Sequence, residues 1–210
     1  MDDYLSKRTL TAILFNWLFI DTEYLAKVKS IFGDYWEPDV FANNNNDVIV
    51  DIGAYNGDSI SSYVNTYGMN YKKIYGYEIT PEMCKEIRNV VNRLCLHDVV
   101  IKQKAAGSYN GKLYLESNSE SNSANKLSKN GDFSVDVVKL DDDLKDIPTM
   151  IKMDIEGSEK DAILGLKETI KNHSPKLAIC VYHGYDDLWQ IPKMIKGINP
   201  NYKFYLRHNG

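Results

Sequence analysis

Four acidic side chains and a histidine follow the ends of two apolar segments, where they could transfer a proton or hold a metal ion. They are Asp154, Glu156, His183, Asp186 and Asp187. We predict His183 as the general base, because an unperturbed imidazole has a pKa of about 6.5, with Asp154 as the alternative. Oxygen and imidazole ligands also suit a divalent metal ion, so a metal site that includes Asp154 and Glu156 is a second hypothesis. The spacing matches no diagnostic metal motif, and the last two aspartates are equally explained as the start of a helix.

Lys152 and Asp154 lie in an otherwise apolar segment, residues 150–155. Side chains alternate along a strand, so these two point to the same side. A charged side chain is costly to bury unless it is paired or used. Two interpretations stay open: an ion pair of Lys152 with Asp154 or Glu156, or a functional carboxylate at the end of the strand. Glu159 is explained as an acid in the first turn of the following helix.

Two glycines follow three β-branched residues and an acid in the stretch Val48–Asp58. This pattern predicts a buried parallel strand that ends in a tight turn and leads into a helix. Gly53 lets the backbone turn sharply and approach a ligand, and Gly57 lets the helix start close to the strand. Ligands of open α/β sheets bind at the carboxyl ends of the strands, so this turn is a candidate binding site. The stretch matches neither the G-x-G-x-x-G nor the P-loop pattern.

Glu78 ends the next predicted strand, residues 73–79. An acid at the end of the second strand is placed to bind both hydroxyls of a ribose. The alternative is a solvated carboxylate, but the position of Glu78 after a glycine-rich turn favours ribose binding. Upstream of both strands, Tyr35 and Trp36 could cover a ligand, although we predict that they pack in the core.

Hydrophobic periodicity places these residues on alternating strands and helices. The predicted elements are a helix over 1–32, a connector over 33–46, strands over 48–52, 73–79, 99–106, 112–115, 133–139, 150–155, 176–182 and 202–206, a loop over 117–129, and helices over 58–67, 81–94, 158–172 and 186–198. The βαβαβ start predicts a doubly wound, mostly parallel α/β sheet with a hairpin insertion. We predict an N-terminal helical segment with its connector, residues 1–46, and one domain, residues 47–210.

The composition is that of an ordinary soluble protein: 210 residues, 43% hydrophobic and 26% charged. A net charge of −4 without a basic stripe argues against nucleic-acid binding. Three cysteines without a C-x-x-C motif are expected to be reduced thiols of a cytoplasmic protein. The apolar stretch Leu10–Ile20 is too short to span a bilayer. We predict that it packs as an amphipathic helix on its own domain, with a second copy, another partner or a membrane surface as alternatives.

Five stretches carry a family resemblance, and they occur in the family's order. They are Val50–Asp58, Tyr77–Glu78, Ile151–Glu159, Pro175–His183 and Tyr205–His208. Together they resemble the FkbM-type S-adenosylmethionine-dependent methyltransferases over roughly residues 47–208. Members of this family normally continue into one more antiparallel strand, so an incomplete sheet edge is expected here.

The resemblance implies the Rossmann-like fold of class I methyltransferases, S-adenosylmethionine as cofactor, and a small-molecule or glycan acceptor that is methylated on a hydroxyl oxygen. The cofactor-binding residues that it implies are Asp51, Gly53, Ala54, Tyr55, Gly57, Asp58, Glu78, Ala105 and Asp154, with Ala106 also beside the adenine. Two alternatives remain. One is a module that binds the cofactor without catalysis, and the other is an NAD-dependent enzyme, which the glycine pattern disfavours.

Overall fold

The computed structural model describes residues 1, 3–32, 35–116, 126–128 and 133–209. Its helices are α1 (Tyr4–Phe19), α2 (Glu23–Ala26), α3 (Asp58–Tyr67), α4 (Pro81–Arg93), α5 (Leu140–Asp143), α6 (Glu159–Leu164), α7 (Lys167–His173) and α8 (Asp187–Ile198). Its strands are β1 (Val48–Ile52), β2 (Lys73–Glu78), β3 (Val99–Ala106), β4 (Gly111–Glu116), β5 (Lys126–Ser128), β6 (Phe133–Val138), β7 (Met150–Met153) and β8 (Lys176–Ile179).

Within these described ranges, the strands form one eight-stranded sheet in the order β5-β4-β6-β3-β2-β1-β7-β8. Neighbouring strands from β6 to β8 in that order are parallel, whereas β4 runs antiparallel to both β5 and β6. The predicted doubly wound, mostly parallel α/β sheet with an N-terminal helical segment and a hairpin insertion is therefore confirmed.

Alternate residues of β1 pack against helices on opposite faces of the sheet, because side chains alternate along a strand. Val50 and Ile52 join the apolar cluster that includes residues of α6, α7 and α8. Ile49 joins the cluster that includes residues of α3 and α4. All of β1 is buried for this reason, which explains its continuous apolar run.

The strand register brings the carboxyl ends of four parallel strands to one edge of the sheet. Ile52 of β1 pairs with Met153 of β7, and Met153 pairs with Ile179 of β8, while β2 pairs with β1 on its other side. Strands β7 and β8 end earlier than predicted, at Met153 and Ile179. Asp154 and residues 180–183 therefore lie in the loops beyond the strands, next to the turn that follows β1.

The predicted helix over residues 1–32 is wrong in its extent. Helix α1 ends at Phe19, because Ile20 adopts a left-handed conformation with a φ of 54°. The Asp21 carboxylate then accepts a hydrogen bond of 2.9 Å from the Glu23 N–H group, which starts the short α2. Among the helices that the structure describes, none has the length and apolarity needed to cross a bilayer.

The predicted strand over residues 202–206 is also wrong, because this segment does not pair with β8. The Leu206 N–H group donates to Ser6 Oγ at 2.8 Å, and His208 O accepts from the Ser30 N–H group at 2.7 Å. These bonds tie the segment to the N-terminal residues. Within Leu10–Ile20 only Ala12 is buried, so the predicted packing of this stretch as an amphipathic helix on its own domain is not confirmed. A cavity of about 1300 Å³ lies between this segment and the outer edge of β8.

Two further boundaries differ from the prediction. The helix over 158–172 is divided into α6 and α7, because the Gly165 backbone meets the Gly107 carbonyl group. A Cβ atom at Gly165 would lie 2.0 Å from that carbonyl oxygen. The predicted loop over 117–129 contains β5, and the rest of that loop lies outside the described residues.

The surroundings of Asp143 predict that part of the protein's stability is lost in acid. It accepts hydrogen bonds from Lys102, Lys104 and Tyr77. Burial raises the pKa of this carboxyl, but the three bonds outweigh burial and lower the pKa to about 2. The unfolded pKa is about 3.9, so the stabilisation is complete above about pH 4 and is lost as the pH falls toward about 2.

We expect the wild type to lose about 2 kcal/mol of unfolding free energy between these pH values through Asp143. Asp143→Asn should remove this part of the loss, because the amide does not titrate. Denaturant unfolding at a series of pH values between about 5 and 2 measures both slopes. An equally steep acid limb in the variant would contradict the expectation.

Candidate functional site

The turn after β1 lies directly against the backbone that follows β7. Gly53 has a φ of 76°, and the N–H groups of Gly53 and Ala54 both donate to Tyr77 O, at 3.0 and 3.1 Å. A Cβ atom at Gly53 would lie 1.9 Å from Asp154 O. The close approach and the positive φ both require glycine here, and they fix the turn relative to Asp154.

Asp51 supports this turn from behind. Its side chain is fully buried, Ser59 Oγ donates to it, and Lys152 Nζ lies 3.0 Å from its Oδ1 atom. Burial raises the pKa of the Asp51 carboxyl, and the Lys152 cation opposes that rise. Lys152 Nζ also donates to Gly53 O at 2.6 Å. The buried Asp51 side chain therefore supports the shape of the turn, and the cofactor contact expected for it stays a prediction.

The ion pair predicted for Lys152 exists, but with a different partner. The sequence analysis offered Asp154 or Glu156, whereas the structure pairs Lys152 with Asp51. Lys152 is 2% exposed, so its charge is satisfied inside the protein. Asp154 is left with other partners at the edge of the sheet.

Glu78 holds a fixed carboxylate at the end of β2. Its Oε2 atom accepts from the Tyr55 N–H group at 3.0 Å, and its Oε1 atom accepts from the Thr80 N–H group at 2.8 Å. The residue is 8% exposed. Each carboxylate oxygen can accept more than one hydrogen bond, so Glu78 could also accept from two hydroxyl groups of a ligand.

The other residues predicted to bind a cofactor lie at different depths. Tyr55 and Asp58 are exposed, and Ala54 and Gly57 are buried. Ala105 and Ala106, which are half-buried, end β3. The structure thus brings the turn residues and Glu78 together at one edge of the sheet.

His183 forms the centre of a second group at the same edge. Its Nδ1 atom lies 2.9 Å from Glu159 Oε1. Its Nε2 atom lies 3.4 Å from Asp154 Oδ1 and 3.4 Å from Glu156 Oε2. One ligand atom each of Asp154, Glu159 and His183 lie within 4.8 Å of one another. Glu159, which the sequence analysis assigned to the helix start, therefore also contacts the candidate base.

Asp186 and Asp187 do not join this group. Both contact Lys160 Nζ, at 2.6 and 2.9 Å, and the Asp187 carboxylate accepts from the Gly184 N–H group at 2.6 Å. The Lys160 pair and the helix start explain them, as the alternative interpretation predicted. Of the five residues first considered, the structure brings three together.

Tyr35, which is predicted to pack in the core, packs against the apolar cluster of α3 and α4 and also reaches the candidate site. Its hydroxyl donates to Asp154 Oδ2 at 2.6 Å, and the Tyr182 hydroxyl donates to Asp154 Oδ1 at 3.2 Å. Burial raises the pKa of the Tyr35 hydroxyl, and its hydrogen bond to Asp154 raises it further, so it remains a donor. The neighbouring Trp36 is buried in the core, as predicted.

The comparisons with known proteins agree with this arrangement. A family model described as the methyltransferase FkbM domain matches residues 51–203. The structure is similar to that of methyltransferase FkbM from Methylobacillus flagellatus KT, with a TM-score of 0.86 and 27% sequence identity. The match covers 100% of this chain and 53% of the other, so this chain spans about half the length of that protein.

Two other solved structures are more distant, and no curated protein matches the sequence. Precorrin-6y C5,15-methyltransferase from Geobacter metallireducens GS-15 has a TM-score of 0.48 and 15% identity, over 77% of this chain and 67% of that one. A Streptococcus mutans protein in complex with SAH has a TM-score of 0.46 and 12% identity, over 72% and 74%. Neither informs the site. The family model, by contrast, matches residues 51–203, most of the sequence, and the chain belongs to the FkbM methyltransferase family.

Proposed function

We propose that the site at the strand ends binds S-adenosylmethionine and transfers its methyl group to a hydroxyl oxygen of a sugar, glycan or natural product. The observation that carries the proposal is the fixed Glu78 carboxylate beside the Gly53 turn. A carboxylate at the end of the second strand is placed to bind the ribose of a nucleoside cofactor. Membership of a methyltransferase family supports methyl transfer as the reaction.

The residues present fit this cofactor. Glu78 would bind the ribose hydroxyls, and Ala105 and Ala106 would border the adenine. The turn around Gly53 would hold the methionine part, because its backbone can approach a ligand without a side chain between them. We assign residues 47–210 to this domain and residues 1–46 to an N-terminal segment that contributes Tyr35.

The chain's main task in this reaction is alignment. When bound, S-adenosylmethionine supplies a methyl group that its sulfonium already activates. The site must hold the acceptor oxygen in line with the methyl carbon and the sulfur. As the acceptor oxygen replaced sulfur on that carbon, with the carbon–sulfur electron pair leaving on sulfur, the hydroxyl proton would be released beside Asp154 and His183. These two residues are the groups at the neighbouring strand ends that can act on that proton.

The cysteines support a reducing compartment. Cys84, Cys95 and Cys180 are all free, and Cys95 is exposed. Free thiols of this kind are typical of proteins of the cytoplasm, which is the location we propose.

We expect Glu78→Ala to weaken the binding of S-adenosylhomocysteine about 10- to 100-fold, because hydrogen bonds to a charged group contribute about 1.5 to 3 kcal/mol. Calorimetric titration of the folded wild type and variant measures the change. Glu82→Ala is the matched control, since Glu82 is an exposed acid in the first turn of α4 and should not contact the ligand.

Three results would separate the alternatives. A folded wild type that does not bind S-adenosylhomocysteine would overturn the proposed function. Thermal stabilisation by NAD instead would indicate an NAD-dependent enzyme. Binding of S-adenosylhomocysteine without turnover of any sugar, glycan or natural-product acceptor would indicate a non-catalytic module. Because Glu78 also orders Tyr55 and Thr80, thermal unfolding of each variant is measured first.

A further inference from the structure

The two ring nitrogens of His183 face different carboxylates. Nδ1 lies 2.9 Å from Glu159 Oε1, the distance of a normal N–H···O hydrogen bond. Glu159 is 1% exposed, and its Oε1 atom also accepts from the Ile155 N–H group at 2.9 Å. A carboxylate held in this way can accept a hydrogen bond from an Nδ1–H group, and in that tautomer the ring offers the Nε2 lone pair to a ligand.

The Nε2 atom of His183 is unusual because it is buried without a partner. The side chain is 9% exposed, and among the described residues Nε2 has no hydrogen-bond partner. It points into a space bordered by Asp154 Oδ1 and Glu156 Oε2, each at 3.4 Å. A buried ring nitrogen that has no hydrogen-bond partner and is bordered by two carboxylates is a candidate ligand atom for a cation.

The two distances from Nε2 suit a cation in that space. Two ligand atoms that each lie about 2.1 Å from one metal ion are about 3.0 to 3.4 Å apart in octahedral or tetrahedral geometry. The backbone also directs Glu156 toward His183, because Glu156 has a φ of 55° and Gly157 a φ of 96°. Left-handed conformation is rare for glutamate, and such strain is often retained at functional sites.

We propose that His183 Nε2, Asp154 Oδ1 and Glu156 Oε2 bind a divalent transition-metal ion, for which Mn²⁺ is a suitable probe. One imidazole and two carboxylates favour such an ion over Ca²⁺ or Mg²⁺, which are bound mainly through oxygen. Glu159 is a positioning residue in this arrangement, since it contacts the opposite side of the ring and fixes its tautomer. Tyr35 and Tyr182 hold the Asp154 carboxylate in place.

The ion gives the proposed function a specific means of activating the acceptor, and this part of the inference rests on that function. Three protein ligands leave coordination positions open for the acceptor hydroxyl. Coordination would lower the pKa of a bound hydroxyl, so Asp154 and His183 would act on it through the ion, and its proton would pass to water on the side of Glu156, which is 66% exposed. The oxygen then attacks the methyl carbon, as described above, with the electron pair of the carbon–sulfur bond leaving on sulfur.

The test is a titration of the metal-free full chain with Mn²⁺, followed by calorimetry and by the loss of the free-Mn²⁺ spin-resonance signal. We expect one saturable site per chain in the wild type. His183→Ala and Glu156→Gln should each weaken binding at least about tenfold, and Glu159→Gln about 10- to 100-fold, because second-shell partners of metal-binding histidines typically contribute that much. His173→Ala is the matched control, since His173 is exposed at the end of α7.

Absence of saturable Mn²⁺ binding in the wild type would overturn the proposal. Unchanged affinity in both His183→Ala and Glu156→Gln would also overturn it. Glu156 is exposed, so Glu156→Gln tests the site even where His183→Ala does not fold. The titration requires no cofactor: S-adenosylhomocysteine binding without Mn²⁺ binding overturns the metal site alone, and the reverse result overturns the proposed function alone.

Discussion

Lys152→Met is expected to lower the free energy of unfolding by about 3 to 5 kcal/mol, the usual cost of removing one partner of a buried ion pair. Lys152 and Asp51 have side chains that are 2% and 0% exposed, and the charged atoms lie 3.0 Å apart. Methionine is an unbranched apolar chain of similar size, so the change removes the charge while largely preserving the packing. It leaves the Asp51 carboxylate buried beside the Ser59 hydroxyl and removes the donor to Gly53 O. Denaturant unfolding of both proteins measures the difference.

Lys27→Met is the control for the removal of a lysine from an ion pair. Lys27 Nζ lies 2.6 Å from Glu23 Oε1, but both side chains are exposed, so we expect a loss below about 1 kcal/mol. The double variant Lys152→Met/Asp51→Asn should recover part of the stability lost in Lys152→Met, because no buried charge remains. If the double variant loses as much stability as Lys152→Met and Asp51→Asn lose together, the buried ion pair does not stabilise the protein in this way.

The partner of Lys152 could not be predicted from this sequence. The alternation of side chains indicates which residues of one strand share a face, and on that basis Asp154 and Glu156 are the partners that the sequence offers Lys152. Asp51 and Lys152 are instead directly opposite each other in the register between β1 and β7. That register depends on how two strands about 100 residues apart pack together, so periodicity within one strand does not reveal it.

The strand-end residues were predictable for a different reason. The carboxyl ends of parallel strands share one edge of a sheet, so the order of elements alone places Gly53, Glu78, Asp154 and His183 near one another. Strands β7 and β8 are shorter than predicted, but the loops after them start at the same edge, so the residues still lie close together. The topology therefore determined the site even though several element boundaries were wrong.

Contacts made by irregular segments were not predictable. Tyr35 lies 119 residues before Asp154 in the sequence, in a connector without periodicity, and its contact with Asp154 depends on the path of that connector. The segment 202–206 resembles a strand in its local pattern, but its backbone bonds with Ser6 and its neighbours instead of with β8. Local pattern does not determine which partner a backbone group finds.

Gly53→Ala is expected to lower the free energy of unfolding by about 2 to 5 kcal/mol, from about 1 to 2 kcal/mol for a left-handed alanine and about 1 to 3 kcal/mol for the steric overlap. The φ of Gly53 is 76°, and the new Cβ would lie 1.9 Å from Asp154 O and 2.9 Å from Ile155 Cγ2. The first neighbour is backbone and can move only if the loop after β7 moves. Denaturant unfolding measures the loss, and titration with S-adenosylhomocysteine measures the effect on the proposed site.

Gly68→Ala separates the two causes of that loss. Gly68 has nearly the same φ, 71°, but the nearest atom to a new Cβ, Asn70 Nδ2, would be 4.0 Å away. Because its ψ is −158°, a conformation almost restricted to glycine, its substitution should cost only the backbone strain, about 1 to 3 kcal/mol, and leave ligand binding unchanged. Equal losses in the two variants would mean that the loop after β7 yields easily. The close packing of the Gly53 turn against the Asp154 backbone would then not be required for the shape of the candidate site.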